Sequence, residues 1–452
     1  DIETINITSS KLGTTAFTAS DANVITSLVT GTATTTLTAS GVEALQLTTD
    51  STNTGMTTID ASGMTGKFTA TVGHTADVTI TGGSADDTIS MGTTMTKADV
   101  INLGGGTKDT VNATLGAVAA GDGGFQLSGV ETFAVTHTST NTTNIDLANT
   151  SGLATLSLVS SADGGTGTIN VTNIADQTIR MADGNGFDGT LDVALADATG
   201  TADSVTINFK DETTGANGFD TTIKALADIE TLNLTLEEFQ SDGTTANTGD
   251  IDANISGVAS GSIVVSGGGA GTDLDLTEGS TKMSATTTSL DSTGFKGTLA
   301  ATASANVATT FNLGGAAVQT VTGSSAADTF TVGATTATHV LDGGAGKDTL
   351  TLNVKDGTTA VTSVTNFETL NVVVAGSAAA VLTAGAGKFY NDADATTLNV
   401  SGGNSLSSIS LGATDPVDST SGITTADFSG FNGKITNFVF DADQLVDSVT
   451  IT

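Results

Sequence analysis

The chain has 452 residues, with 48 acidic against 13 basic side chains and a formal net charge of −35. It has no cysteine, which excludes disulfides, thiolate chemistry and cysteine-based zinc sites. Binding to nucleic-acid phosphates needs clustered Lys and Arg, so a chain with Arg180 as its only arginine excludes that class too.

The sequence holds 56 glycines, one proline, no tryptophan and one tyrosine, and its apolar share sits mainly in Ala, Val, Ile and Leu. Such side chains suit thin, repeated layers rather than one thick aromatic core. Thr and Val favour strands, Gly, Asn and Asp favour turns, and strong helix formers are scarce. So much uncompensated carboxylate resists compaction unless cations screen or bind it. No apolar run is long enough for a transmembrane helix. The first residue is Asp1, with no initiator Met and no signal-like stretch, which reads as a processed chain or a piece of a longer one.

In chain order, residues 1–58 read as an N-terminal β segment containing Gly41-Val42-Glu43-Ala44-Leu45, a Glu leading into an apolar strand. Residues 59–182 form a module that opens on the acidic turn Asp60-Ala61-Ser62-Gly63 and repeats the Glu phrase at Glu131. A second module, 183–289, opens at Asp183 and carries the phrase at Glu230. A third, 290–425, opens at Asp291 and carries it at Glu368; residues 426–452 start a further one at Asp427. The last strand, at 447–451, matches 203–207, so the repeat reads as continuing past it. In the four opening turns the expected role of the Asp is to cap its own turn. Between these phrases run segments such as Leu232-Asn233-Leu234-Thr235-Leu236 and Leu350-Thr351-Leu352-Asn353-Val354. Apolar/polar alternation with period 2 marks strands with one buried face. Residues 223–239 are the best place for a helix and still read mainly as strand. The predicted fold is all-β: a right-handed parallel β-roll or β-solenoid repeat array with β-sandwich-like modules, elongated and multi-module.

One motif carries chemistry. Gly343-Gly344-Ala345-Gly346-Lys347-Asp348-Thr349-Leu350-Thr351 fits the nonapeptide G-G-x-G-x-D-x-U-x at every defined position, with Asp342 just before it. Its glycines permit positive φ and leave carbonyl oxygens exposed, its Asp supplies a hard carboxylate, and the apolar residue anchors a short strand. Calcium takes six or more oxygens, so carbonyls and Asp from neighbouring coils suit it. Degenerate copies run from Gly82 and Gly83 through Asp86 to Asp87, from Gly104 and Gly105 to Asp109, and from Gly323 to Asp328. Asp87 lies 22 residues before Asp109, and Asp328 lies 20 before Asp348. Both intervals are near two nonapeptides, one coil of a β-roll, which places each pair on one edge of adjacent coils. The plainer reading is a set of Gly/Asp turns between strands.

With these residues and the Glu-Thr-Leu or Glu-Thr-Phe phrases at 131, 230 and 368, the chain resembles the secreted RTX proteins of bacteria. More narrowly it resembles the RTX-type surface-layer (S-layer) proteins of the Caulobacter kind. The resemblance implies type I secretion, several bound calcium ions, calcium-triggered folding outside the cell and assembly into a two-dimensional lattice. The implied partners are further copies of the chain, and surface polysaccharide held through a region outside this sequence.

Catalysis is not expected. His74, His137 and His339 are isolated, and no H-E-x-x-H, G-x-S-x-G or G-x-x-x-x-G-K-[ST] spacing occurs. Carboxylate pairs such as Glu237-Glu238 are explained by chance among so many acids, and sugar-stacking aromatics are nearly absent. A calcium-dependent adhesin stalk and an extracellular filament are the competing structural readings. The heterogeneous modules favour the lattice, because they present distinct faces to neighbours around a symmetry axis.

Overall fold

The computed structural model describes residues 2–10, 22–120, 123–138, 140, 142–160, 167–183, 187, 189–211, 219, 221–225, 229–237, 250–256, 261–269, 272–276, 283, 285–314, 317–333, 339–354, 361–374, 380–383, 396–402, 406–411, 425–433, 435–440 and 448–450. Every element among them longer than a turn is a strand, and paired strands run parallel. The fold is a parallel β-solenoid, as the period-2 pattern and the repeats predict. The residues proposed as the best helix candidate hold strands Thr221–Ala225 and Thr231–Leu236; the rest of that stretch falls largely outside the described residues.

Two compact units divide the chain. The first comprises residues 1–198 and 205–213, the second 199–204 and 214–452. These units are coarser than the repeat modules read from the sequence.

In the first unit successive strands go alternately to different sheets. One sheet runs from Thr4–Ser9 through Thr36–Gly41, Thr58–Met64, Thr79–Thr81, Val100–Asn102 and Gln126–Ser128 to Thr150–Ser151. The facing strands pair in their own order, among them Phe68–Thr71, Thr88–Gly92, Thr110–Leu115, Thr132–His137 and Thr155–Ser160. In the second unit the corresponding ladder includes Thr287–Phe295, Thr310–Leu313, Thr329–Val332, Thr349–Val354, Thr369–Val374, Thr397–Gly402 and Thr425–Phe431. Each coil thus adds one strand to each sheet and contacts mainly the coils before and after it.

Strand alternation builds the core directly. In Thr110–Leu115 and Thr349–Val354 buried residues alternate with half-exposed ones along the whole strand. Inward residues stack in columns, such as Phe311, Phe330 and Leu350, which share register positions in adjacent coils. Phe311 and Phe330 have ring centroids 4.4 Å apart, and Phe367 meets Phe330 edge-on at 4.9 Å. Among the described residues the phenylalanines are therefore spent on the core, where one ring fills most of a thin layer.

Truncating such a ring leaves a void that a stacked ladder closes poorly. Phe330→Ala is expected to lower stability by about 3–5 kcal/mol. Thr331→Ala, on the outward side of the same strand, is expected to change it by under about 0.5 kcal/mol. Urea denaturation followed by circular dichroism checks both.

Candidate metal centre

Asp87 and Asp109 occupy equivalent places, each one residue before a strand, because Thr88 and Thr110 pair in register. Asp328 and Asp348 are likewise equivalent, ahead of the paired Thr329 and Thr349. All four are buried. The predicted stacking of each pair on one edge of adjacent coils is what the register gives.

These carboxylates hold one another's backbones. Asp109 Oδ1 accepts the Asp87 N–H at 2.6 Å, and Glu131 Oε2 accepts the Asp109 N–H at 2.7 Å. In the second unit Asp348 Oδ1 accepts the Asp328 N–H at 2.7 Å, and Glu368 Oε2 accepts the Asp348 N–H at 2.6 Å. Both ladders continue one coil back, where Asp87 Oδ1 takes the Phe68 N–H (2.7 Å) and Asp328 Oδ1 takes the Thr309 N–H (2.6 Å). The rule is the same in each step: the acid of one coil caps the N–H that starts the strand of the coil before it. Bonds from a backbone N–H to a charged oxygen are short and about twice as strong as neutral ones.

The second carboxylate oxygens divide into two kinds. Asp87 Oδ2 accepts the Gly83 N–H at 2.7 Å and Asp328 Oδ2 accepts the Ser324 N–H at 2.6 Å, each closing its own turn. Asp109 Oδ2 and Asp348 Oδ2 are buried and accept no hydrogen bond from the protein. Their turns are the ones richest in glycine, and in them the equivalent amides point elsewhere. Gly105 N–H goes to the Gly83 carbonyl at 2.9 Å, and Gly344 N–H goes to Asp342 Oδ1 at 3.0 Å. Gly344 has φ +92°, and a Cβ there would lie 2.1 Å from the Ser324 carbonyl oxygen. Only glycine permits this turn and this approach of adjacent coils. Close approach is also the reason for Gly82, Gly83 and Gly343, which lack positive φ but would each bring a Cβ within 2.5 Å of a carbonyl oxygen of another coil.

Oxygens crowd Gly106, beside Asp109. A Cβ on Gly106 would lie 2.5 Å from Asp109 Oδ2, 2.9 Å from Oδ1 and 3.0 Å from the Ala85 carbonyl oxygen. Around Gly346, φ +145°, a Cβ would lie 2.4 Å from the Ala326 carbonyl oxygen. An orphaned, buried anionic oxygen needs a proton or a cation. Among the described residues no three His, Cys, Asp or Glu side chains converge on one point, so a cation there would draw on backbone carbonyls.

The remaining predicted residues hold turns. Asp86 Oδ1 accepts the N–H groups of Thr107 (2.8 Å) and Lys108 (3.2 Å) across a coil, and the Thr107 bond draws its carboxyl below the usual range. Asp342 Oδ1 also accepts from Asn366 Nδ2 at 2.7 Å. Gly104 takes φ +82° and its N–H donates to Asn102 Oδ1 at 3.1 Å. As expected for the module-opening acids, Asp60, Asp291 and Asp427 accept the N–H two residues on, at 2.8–3.0 Å. The side chain of Asp183 lies outside the described residues.

Four acids that cap strand-opening amides in this way were not recognised from sequence. Glu131 and Glu368 terminate the two Asp pairs, and Glu230 Oε2 accepts the Asp203 N–H at 2.8 Å within the second unit. Asp99, buried in a different turn, takes the N–H groups of Val78 and Thr96, both at 2.7 Å. The histidines do not gather. His74 and His137 each meet a threonine hydroxyl, Thr49 at 3.2 Å and Thr143 at 3.0 Å, while His339 Nδ1 accepts the Gln319 N–H at 3.1 Å.

Burial first, then the like charges of neighbouring acids, pushes the Asp109 and Asp348 carboxyls up from 3.8 to about 6. Burial alone pulls the His339 imidazole down from 6.5 to about 4.

No family model, curated protein or solved structure matches the chain.

The raised carboxyls make the metal-free protein respond to pH in a definite direction. Between about 4 and about 6 the folded state binds more protons at Asp109 and Asp348 than the unfolded chain does, so their contribution falls as pH rises through that window. His339 acts oppositely: its contribution is complete above 6.5 and is lost as pH falls toward about 4. Comparing wild type with Asp348→Asn cancels the histidine. In chelator, the unfolding midpoint of wild type is expected to gain on that of the variant as pH falls from 7 to 5. A difference independent of pH would show that this carboxyl is not perturbed.

Proposed function

We propose that this chain is a structural protein of the bacterial cell surface, secreted, folding on calcium and joining copies of itself into a two-dimensional lattice. The observation that carries the calcium part is the pair of buried, unpartnered oxygens, Asp109 Oδ2 and Asp348 Oδ2, in the glycine-rich turns. Calcium is a hard ion that prefers carboxylate and carbonyl oxygens, which is the donor set beside Gly106. The formal charge of −35 adds a general reason for cations to favour the compact state. The surface location and the lattice rest on the resemblance of the turn motifs and the Glu phrases to RTX-type surface-layer proteins. A non-catalytic role is supported by the ladder itself, in which the conspicuous acids are engaged with the backbone. The unbroken ladder of parallel strands in the second unit favours one second reading, a calcium-stiffened adhesin stalk.

Two variants separate metal binding from folding. Asp109→Asn keeps an oxygen for the Asp87 N–H and removes the charge, so it is expected to fold in chelator and to weaken calcium binding at least tenfold by calorimetry. Asp328→Ala strips acceptors from two buried N–H groups, and is expected to lose about 3 kcal/mol with or without calcium. Calcium binding unchanged in both Asp109→Asn and Asp348→Asn would end the metal proposal. Negative-stain microscopy with calcium and then chelator tests assembly: sheets lost on chelation support the lattice, and isolated stiff rods support the stalk.

A further inference from the structure

Charge is distributed unevenly over the coils. The ladder acids sit in the turns, while whole strands carry none. In the second unit the five consecutive strands Thr310–Leu313, Thr329–Val332, Thr349–Val354, Thr369–Val374 and Thr397–Gly402 contain no Asp, Glu, Lys or Arg. Their outward positions form one column of threonines, at 310, 329, 349, 369 and 397, paired in register from coil to coil. Beside it runs a column of Asn and Thr, from Asn312 to Asn399. The strands bounding this face bring charge back at Asp291 and Asp427. The other sheet of the unit carries Asp273, Asp275 and Asp342 among its strands.

The polar groups of this face are partly satisfied already. Asn399 Nδ2 donates to Asn371 Oδ1 at 2.8 Å, and Asn371 Nδ2 donates to Thr351 Oγ1 at 3.3 Å. Amides bonded along a ladder lose less on desolvation than free ones, and such ladders occur in dry sheet-to-sheet contacts.

We propose that this charge-free face of the second unit is where a second copy of the chain docks, sheet face against sheet face. The inference deepens the self-assembly reading above and rests on it. Charge selects the occupant: a cationic partner would be drawn to the acidic turns. Two copies of a chain this acidic approach with least repulsion through a surface that has no charge. Three of these strands have six residues and two have four. At about 3.3 Å per residue and about 4.8 Å between strands they give roughly 400 Å² per partner. The pair would bury about 800 Å², below the size of a stable one-to-one complex, which suits a weak contact repeated many times in an array.

The test places like charges on the face of the full chain in calcium, with sedimentation velocity and microscopy as readouts. Thr351→Glu and Asn371→Glu each disturb a side-chain bond of this face; both are expected to keep the wild-type circular dichroism spectrum and to weaken self-association at least tenfold. Thr320→Glu, exposed on the other sheet, is expected to assemble as wild type. Mixing Asn371→Glu with Asn371→Lys is expected to restore association that neither shows alone, a rescue that misfolding would not produce. Assembly of both glutamate variants at wild-type concentration, or a block by Thr320→Glu alone, would overturn the assignment of this face. Failure of wild type to associate at all would remove the self-assembly reading together with it and leave calcium binding standing.

Discussion

The structure depends on a hydrogen bond between an acid in one coil and the N–H that opens the strand of the coil before it. Parallel strands in a solenoid leave a turn at every corner, and a buried turn N–H without a partner costs free energy comparable to a lost hydrogen bond. Asp87, Asp109, Asp328 and Asp348 meet that demand from a coil away, so the side chain that closes one strand's start also fixes the register of the next. Register in turn sets which face is buried, since a one-residue slip would turn Phe330 and Leu350 outward.

The same device concentrates charge where it is hard to keep. Each acid sits among others of its kind, buried, with its oxygens turned to amides. Two of them, Asp109 and Asp348, keep one oxygen that no amide reaches, because their glycine-rich turns send the amide elsewhere. A proton can satisfy that oxygen, and on the proposed reading calcium competes for it. The turns would then couple stability to pH and to metal, while the neutral threonine faces between them carry no group that responds to either.

Much of this was legible in the sequence. Strict alternation in stretches such as 350–354 gave strand and inward face together, and the spacing of the Asp pairs gave one coil. The link between the Asp motifs and the Glu phrases was missed, although the signal existed. Glu131 follows Asp109 by 22 residues and Glu368 follows Asp348 by 20, the same intervals that separate the paired acids. The two phrases are one column seen at successive coils, with a longer side chain at its end. What no spacing reveals is which Asp has both oxygens taken. That depends on whether the amide at Gly83 or Gly105, and at Ser324 or Gly344, turns inward or away, and so on backbone angles that glycine leaves open. Asp99 was hidden for a related reason: its turn, residues 94–99, has no glycine and matches no repeat, yet delivers the same cap.

A crystal grown in calcium would show whether the orphaned oxygens of Asp109 and Asp348 seat cations. Anomalous difference density at long wavelength should show peaks in the turns at 104–109 and 343–348, within about 2.3–2.6 Å of the free Asp oxygen. Well-ordered turns there with no peak, or with a donated hydrogen bond on each free oxygen in its place, would mean that these oxygens seat no cation.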